Sequence, residues 1–123
     1  MTSESGPPAA AGLDAYTVVR VPFPFTDRLA SKHRPALVLS DRDRFNAPIG
    51  HSVMAMITSA VNPPWPLDCG LTDLSAAGLP APSKVRFKLF TLDHRLVRVT
   101  LGRLASEDEI RVRQALTKLF GAS

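Results

Sequence analysis

The apolar residues of this chain alternate with polar ones in three stretches, a pattern typical of strands that bury one face. These stretches are residues 16–25, 84–92 and 96–101. In the first, Pro22 and Pro24 take positions between the apolar residues, which predicts an edge strand because proline cannot donate to a neighbouring strand. The second and third are joined by Asp93-His94-Arg95. This polar link predicts a hairpin.

Two shorter apolar runs predict two further strands, at residues 35–39 and 52–59. Arg34 therefore stands where a polar loop meets a strand, and Thr58 lies at the end of the next strand. The intervening Asp, Asn, Pro and Gly residues predict a turn-rich connection. The stretch 61–83 contains five prolines. A loop of this length needs a function or short structure of its own.

The last part of the chain has the periodicity of a helix. Ser106 and Glu109 fit a capping box that satisfies free amides at a helix start. The apolar stripe that should cover the core consists of Val112, Ala115, Leu116, Leu119 and Phe120. Gly121 then permits the chain to leave the helix. Five short strands before one terminal helix predict a mainly β fold, as a strongly curved sheet or small SH3-like barrel.

The remaining sequence sets the domain boundaries and excludes several classes of protein. Residues 1–14 lack apolar periodicity and are rich in Ser, Gly, Pro and Ala, which predicts a disordered leader before one domain at 15–123. One cysteine excludes an internal disulfide, and three scattered histidines exclude a zinc motif. Without a signal sequence or a bilayer-length apolar segment, we expect a cytoplasmic protein that contacts no membrane.

The charge of the chain bears on its partner. A formal charge of +4 and a pI near 9.8 favour a polyanion such as nucleic acid, because Lys and Arg attract phosphates at long range. A basic surface that serves only solubility explains the same charge equally well.

Three segments in order carry a more specific signal: VPFPFTD at 21–27, RPALVLS at 34–40 and ITS at 57–59. Together they resemble the MazF/PemK family of toxin endoribonucleases from bacterial toxin–antitoxin pairs, and the stretch 78–104 is similar to the second half of that fold. The resemblance implies a barrel with a terminal helix, a homodimer and a cognate antitoxin. It also implies cleavage of single-stranded RNA, without metal or other cofactor, to 2′,3′-cyclic phosphate and 5′-hydroxyl ends.

The resemblance also implies catalytic residues. The arginine of the family's RP motif and the threonine or serine of its ITS motif match Arg34 and Thr58. Attack by a 2′-hydroxyl builds negative charge on the phosphoryl oxygens, which a guanidinium meets with several fixed donors. A threonine hydroxyl can donate to the same phosphate. Without the resemblance, an arginine here is more often a solvated charge and a threonine an ordinary strand-end residue.

Two further residues are candidates for acid–base chemistry. His33 is a candidate because histidine is a common general base, but neighbours in a strand face opposite ways, so it joins the arginine only if the chain is irregular there. Many family members carry an acidic residue in the loop before the arginine. This chain has Ser-Lys-His there and could recruit Asp27 instead. His51 and His94 lie in predicted turns, where we expect them to be solvated.

Basic, polar and aromatic residues around the predicted site are expected to contact RNA. They are Arg28, Lys32, Arg42, Arg44, Ser59 and Trp65. Each basic residue alone is explained equally well as a solvated loop charge. The single tryptophan could instead cover the core or a dimer interface.

Two alternatives of a different class use the same barrel. One is a non-catalytic gyrase inhibitor like the related CcdB toxins, although those end in an exposed tryptophan-containing tail and this chain ends Phe-Gly-Ala-Ser. The other is a catalytically silent module that binds RNA or protein, which the missing acidic loop residue would explain.

Overall fold

The computed structural model describes residues 13–22 and 32–122, and within them one antiparallel sheet of six strands is formed. The strands are β1 (Thr17–Pro22), β2 (His33–Val38), β3 (His51–Ser59), β4 (Cys69–Gly70), β5 (Ser83–Asp93) and β6 (Val99–Arg103). Their order across the sheet is β4-β5-β3-β2-β1-β6. The sheet curls into a half-barrel. The expected mainly β fold with a C-terminal helix is confirmed, with one strand more than predicted.

Short helical segments connect the strands, and one longer helix ends the chain. They are a π-helical turn (Arg42–Asn46), α1 (Ala47–Ile49), α2 (Leu74–Ala77), a 3-10 turn (His94–Leu96) and α3 (Ser106–Leu119). The long proline-rich stretch thus has short structure of its own, since it contains β4 and α2. No described helix is both long enough and apolar enough to cross a membrane.

The sheet separates two apolar clusters, because successive residues of a strand face opposite sides. The cluster under α3 includes Val18, Leu37, Ile57, Val85 and Val112. The cluster on the other face includes Leu13, Val19, Val21, Ala36, Val38 and Met54. The central strands are therefore buried on both faces, which explains why β2 reads as a continuous apolar run.

The predicted edge position of β1 is wrong. This strand lies between β2 and β6, with Val21 opposite Arg34 and Arg20 opposite Val99. Pro22 is tolerated because it ends β1, beyond the last residue that pairs with β6. Its missing amide hydrogen therefore removes no bond between these two strands.

The predicted hairpin between the last two strands is also wrong. In the described part of the chain, β5 pairs with β3 and β4, whereas β6 pairs with β1 at the opposite edge. The carboxylate of Asp93 accepts a hydrogen bond from the Arg95 amide at 2.9 Å, which starts a 3-10 turn rather than a tight β-turn. The chain then crosses to β1, where the Arg98 amide donates to the Arg20 carbonyl at 2.9 Å.

The start of α3 differs from the predicted capping box. Ala105 is the N-cap and offers no side-chain hydrogen bond, so Ser106 already lies inside the first turn. The carboxylate of Glu109 accepts instead from Arg113 at 2.7 Å, one helical turn further on. The sequence spacing was correct for a box, but the helix begins one residue too early for the serine to cap it.

The apolar stripe of α3 covers the core as far as Leu116. Val112 and Ala115 are buried, whereas Leu119 and Phe120 are 37% and 69% exposed. The end of the helix is therefore largely exposed. Gly121 has a φ of 72°, which confirms that it allows the chain to turn out of the helix.

A buried carboxylate ties α3 to the connection between β4 and α2. Asp108 accepts hydrogen bonds from the Thr72 amide at 3.0 Å, the Thr72 hydroxyl at 2.9 Å and the Asp73 amide at 3.1 Å. It also pairs with Arg111. Burial acts to raise the pKa of Asp108, but these hydrogen bonds outweigh it and hold the pKa below its usual value.

Two residues assigned to the leader belong to the fold. Leu13 is buried in the second apolar cluster. The carboxylate of Asp14 accepts from the Arg42 amide at 3.0 Å and from the Ala15 amide at 2.8 Å. The folded domain therefore includes residue 13, and residues 1–12 of the predicted leader lie outside the described residues.

Candidate functional site

Arg34 and Thr58 lie on neighbouring strands, at the same end and on the same face of the sheet. Ala36 of β2 is paired with Met56 of β3. Arg34 precedes Ala36 by two positions and Thr58 follows Met56 by two, and these steps run in the same direction because the strands are antiparallel. Residues two apart in a strand share a face. The sheet thus brings together the two residues that the sequence singled out.

The two side chains differ in their surroundings. Arg34 is exposed, which leaves its guanidinium accessible to a ligand. Thr58 is half-buried, and its hydroxyl oxygen accepts a hydrogen bond from the Asn62 side-chain amide at 2.6 Å. The long, flexible arginine side chain is therefore exposed, whereas the short, β-branched threonine side chain is held by a neighbouring residue.

A lysine opposite Thr58 supports this arrangement. Lys84 of β5 pairs with Thr58 across the sheet, and its ammonium donates to the Asn62 carbonyl at 2.6 Å. The same ammonium forms an ion pair with Asp68 at 3.2 Å. Lys84 is buried, so both interactions are shielded from water.

Asp68 is the centre of this network. It accepts from the Arg86 guanidinium at 2.9 Å and from the Trp65 amide at 2.9 Å, in addition to the Lys84 ion pair. Arg86 also donates to the Pro63 carbonyl at 2.6 Å. Burial acts to raise the pKa of Asp68, but the hydrogen bonds from Arg86, Trp65 and Lys84 lower it further than burial raises it. We call residues 60–68, which this network fixes to β5, the site loop.

The sequence did not single out this network. Lys84 and Arg86 alternate with the apolar residues Val85, Phe87 and Leu89. Charged residues in such a pattern are usually solvated. The available signal was the presence of two cations at alternate positions, Lys84 and Arg86, after a stretch that contains two acidic residues, Asp68 and Asp73. Nothing local in the sequence says that the loop folds back over the strand.

Trp65 lies on the site loop, outside both apolar clusters, and is 44% exposed. The Arg86 guanidinium carbon is 4.9 Å from the centre of its ring, and the Lys88 ammonium is 5.9 Å away. These are cation–π distances. Trp65 therefore packs over the cations of β5, and the explanation that it covers the core is wrong.

The other candidate residues are distributed unevenly. Ser59 follows Thr58 and is exposed, and Lys32 is exposed just before β2. His33 lies within β2, where its regular pairing with Pro22 of β1 directs it to the face opposite Arg34. The irregularity that would bring His33 to the arginine is not observed. Asp27 and Arg28 lie outside the described residues.

The structure separates Arg42 and Arg44 from Arg34. Both belong to the π-helical turn that follows the far end of β2. At about 3.3 Å per residue, the two ends of β2 are roughly 16 Å apart. The guanidinium of Arg42 donates to Asp43 at 3.2 Å. The structure therefore does not bring these two arginines to Arg34, and their contact with RNA stays a prediction.

A family model described as a PemK-like, MazF-like toxin of type II toxin-antitoxin system matches residues 14–120. The chain belongs to this toxin family. The match includes β1, β2 and β3, and with them both Arg34 and Thr58. Comparison with functionally curated proteins gives no match.

Solved structures of MazF toxins have the same fold. MazF from Deinococcus radiodurans, in one crystal form of its complex with MazE, has a TM-score of 0.71 at 26% identity, over 90% of this chain and 98% of that one. An endoribonuclease from a mycobacterial species, bound to its cognate antitoxin, gives 0.69 at 15% identity, over 90% and 95%. The Mycobacterium tuberculosis toxin MazF-mt6 gives 0.66 at 20% identity, over 87% and 98%.

At the other end of this MazF-like sheet lies a buried histidine. His94 is 2% exposed, and its Nε2 hydrogen-bonds with the Ser52 hydroxyl at 2.7 Å. Burial lowers the pKa of His94, and nearby His51 lowers it further. The expectation that His94 is solvated is wrong, because the 3-10 turn directs it inward. Within residues 13–22 and 32–122 of the toxin, no three His, Cys, Asp or Glu side chains form a group that could hold a metal ion.

Proposed function

We propose that this toxin is a metal-independent endoribonuclease that cleaves single-stranded RNA to 2′,3′-cyclic phosphate and 5′-hydroxyl ends. The observation that carries the proposal is the placement of Arg34 and Thr58 on one face of adjacent strands, in a chain of the MazF-like toxin family. A mycobacterial protein of the same fold is named an endoribonuclease, which supports the reaction class.

The chemistry requires charge stabilisation and proton transfer. The 2′-oxygen bonds to phosphorus while the bond from phosphorus to the 5′-oxygen breaks; a base removes the 2′ proton, and the 5′-oxygen gains one. The Arg34 guanidinium meets the negative charge that develops on the phosphoryl oxygens. The Thr58 hydroxyl donates a hydrogen bond to the same phosphoryl oxygens. Asp27 and His33 are the sequence's candidates for the base, and the regular pairing of β2 argues against His33.

Residues beside this pair supply a path for the strand. Trp65 presents a half-exposed ring on the site loop, and stacking of one base on such a ring contributes about 1–3 kcal/mol. Lys32, exposed two residues before Arg34, is expected to contact a flanking phosphate. Ser59 is also exposed, but its regular pairing with Ser83 directs it to the face opposite Thr58. A stacked base and phosphate contacts together favour an unpaired RNA strand over a duplex.

The proposal includes partners. Deinococcus radiodurans MazF is crystallised with MazE, and the mycobacterial endoribonuclease with its cognate antitoxin. We therefore expect a cognate antitoxin to bind this basic toxin and restrain it. A homodimer, which the family resemblance implies, and a cytoplasmic location complete the proposal.

Cleavage of a labelled single-stranded RNA in the presence of excess chelator tests the proposal. We expect the wild type to cleave and Arg34→Ala to lower the rate at least about 100-fold. The new 5′ end should accept phosphate from a kinase without prior dephosphorylation, and the new 3′ end should resist ligation until its cyclic phosphate is removed. The control is Arg95→Ala, because Arg95 lies in an exposed turn at the other end of β5. Its rate should equal that of the wild type.

Three outcomes would contradict the proposal. Unchanged cleavage by Arg34→Ala excludes the assigned site. RNA binding in a gel shift without product favours the silent binding module. Inhibition of DNA supercoiling by gyrase, without RNA cleavage, favours the CcdB-like alternative.

A further inference from the structure

We propose that Asn62 is a positioning residue that directs the hydroxyl proton of Thr58 toward the scissile phosphate. The inference rests on the proposed function, since it concerns how one catalytic residue of that site is oriented. It assigns a role to a residue of the site loop that the sequence did not single out.

The first step is the direction of one hydrogen bond. The side-chain nitrogen of Asn62 donates to the hydroxyl oxygen of Thr58 at 2.6 Å. A hydroxyl has one proton to donate and two lone pairs to accept with. Because Asn62 occupies a lone pair, the proton of Thr58 points elsewhere. It remains available to a phosphoryl oxygen held by Arg34.

The second step is the fixed position of Asn62 itself. The backbone carbonyl of Asn62 accepts from the buried Lys84 ammonium at 2.6 Å, and its backbone amide donates to the Ser59 carbonyl at 3.1 Å. Lys84 is anchored in turn by Asp68. The backbone of Asn62 is thus held on both sides, so the side-chain amide starts from a fixed point.

The third step separates this role from a structural one. Both interactions that hold the loop at this point use the backbone of Asn62 and would survive a change of its side chain. Among the described residues, the side-chain amide of Asn62 hydrogen-bonds to one partner, Thr58. The side chain is therefore expected to affect catalysis more than folding.

The test measures single-turnover cleavage by Asn62→Ala and Asn62→Asp, each with Thr58 present and in a Thr58→Val background. Asn62→Ala should lower the rate about tenfold with an unchanged melting temperature and RNA affinity, because one orienting hydrogen bond is lost. Asn62→Asp should lower it further. Its carboxylate only accepts, so it draws the Thr58 proton to itself and away from the phosphate.

The Thr58→Val background provides the control, because valine has the shape of threonine without the hydroxyl. Asn62→Ala should have no further effect there, and any residual effect of Asn62→Asp measures the added charge alone. Equal rate losses in both backgrounds, or Asn62→Asp more active than Asn62→Ala, would overturn the positioning role and leave the proposed function intact. An inactive wild type would instead overturn the proposed function, and this role with it.

Discussion

A carboxylate forms ion pairs near each end of β3, but only one of these two clusters is buried. At the Thr58 end, Asp68 joins Lys84 and Arg86, whose side chains are each about one-tenth exposed. At the His51 end, Asp93 pairs with Arg95, whose side chain is 86% exposed. Charges in water hold little structure, whereas buried charges must keep their partners. Ion pairs of a carboxylate thus fix the site loop at one end of β3, whereas at the other end they lie on an exposed turn and add little stability.

The strongest way to break this contrast is to remove the two carboxylates in turn. Asp68→Ala leaves two buried cations and the Trp65 amide without their acceptor, so we expect the free energy of unfolding to fall by about 3 kcal/mol. Asp93→Ala should cost clearly less, because Arg95 returns to water. Urea denaturation monitored by tryptophan fluorescence measures both. Equal losses would show that burial does not distinguish the clusters.

A smaller effect is expected from the exposed apolar residues at the two ends. Trp65→Ala should weaken binding of a non-cleavable single-stranded RNA about tenfold, because a stacked base is lost. Leu96→Ala, which removes an exposed side chain from the far turn, should leave affinity unchanged. Fluorescence anisotropy of labelled RNA measures both. Trp65→Phe, which keeps an aromatic face, should recover most of the loss; equal affinity of Trp65→Ala and wild type would remove Trp65 from the binding path.

The smallest expected effect is a pH dependence that belongs to the far end alone. The pKa of His94 is lowered by burial, so the unfolded chain binds its proton at a higher pH than the folded one. The stability that neutral His94 provides is present above the unfolded pKa, near 6.5, and is lost as pH falls through the folded value. The unfolding free energy should therefore decline between about pH 7 and pH 5.

His94→Gln should flatten that decline, because the titrating group is gone, while His51→Gln at the half-exposed neighbouring position should retain most of it. Urea denaturation at several pH values makes the comparison. A slope that persists in His94→Gln would assign the titration to another group.

The resemblance of short motifs to the MazF/PemK family singled out Arg34 and Thr58, and local periodicity predicted most of the strands. Arg34 and Thr58 belong to short motifs within apolar runs, and the pairing of those runs brings the two residues together. The fold class follows for the same reason, because period-two alternation and a final 3.6-residue stripe are properties of contiguous residues.

What the sequence did not predict depends on partners far along the chain. The segment Asp93-His94-Arg95 has the composition of a tight turn, yet β6 pairs with β1 at the opposite edge. Asp68 lies far in sequence from Arg86, so the ion pair between them cannot be predicted from either residue's local sequence. His94 was expected in water because turns usually are, but a short turn packed against β3 can bury one of its side chains.

The adjacency of β2 and β3 has a further consequence for how this toxin could be altered. Neighbouring strands lie about 4.8 Å apart whatever their side chains, because backbone hydrogen bonds set that spacing. The pairing of β2 with β3 therefore fixes the spacing between Arg34 and Thr58. Trp65 and the rest of the site loop lie outside the sheet and do not set that spacing. Under the proposed function, designers who wish to redirect the choice of RNA can exchange loop residues other than Asn62 and Asp68 and keep Arg34 and Thr58 in register.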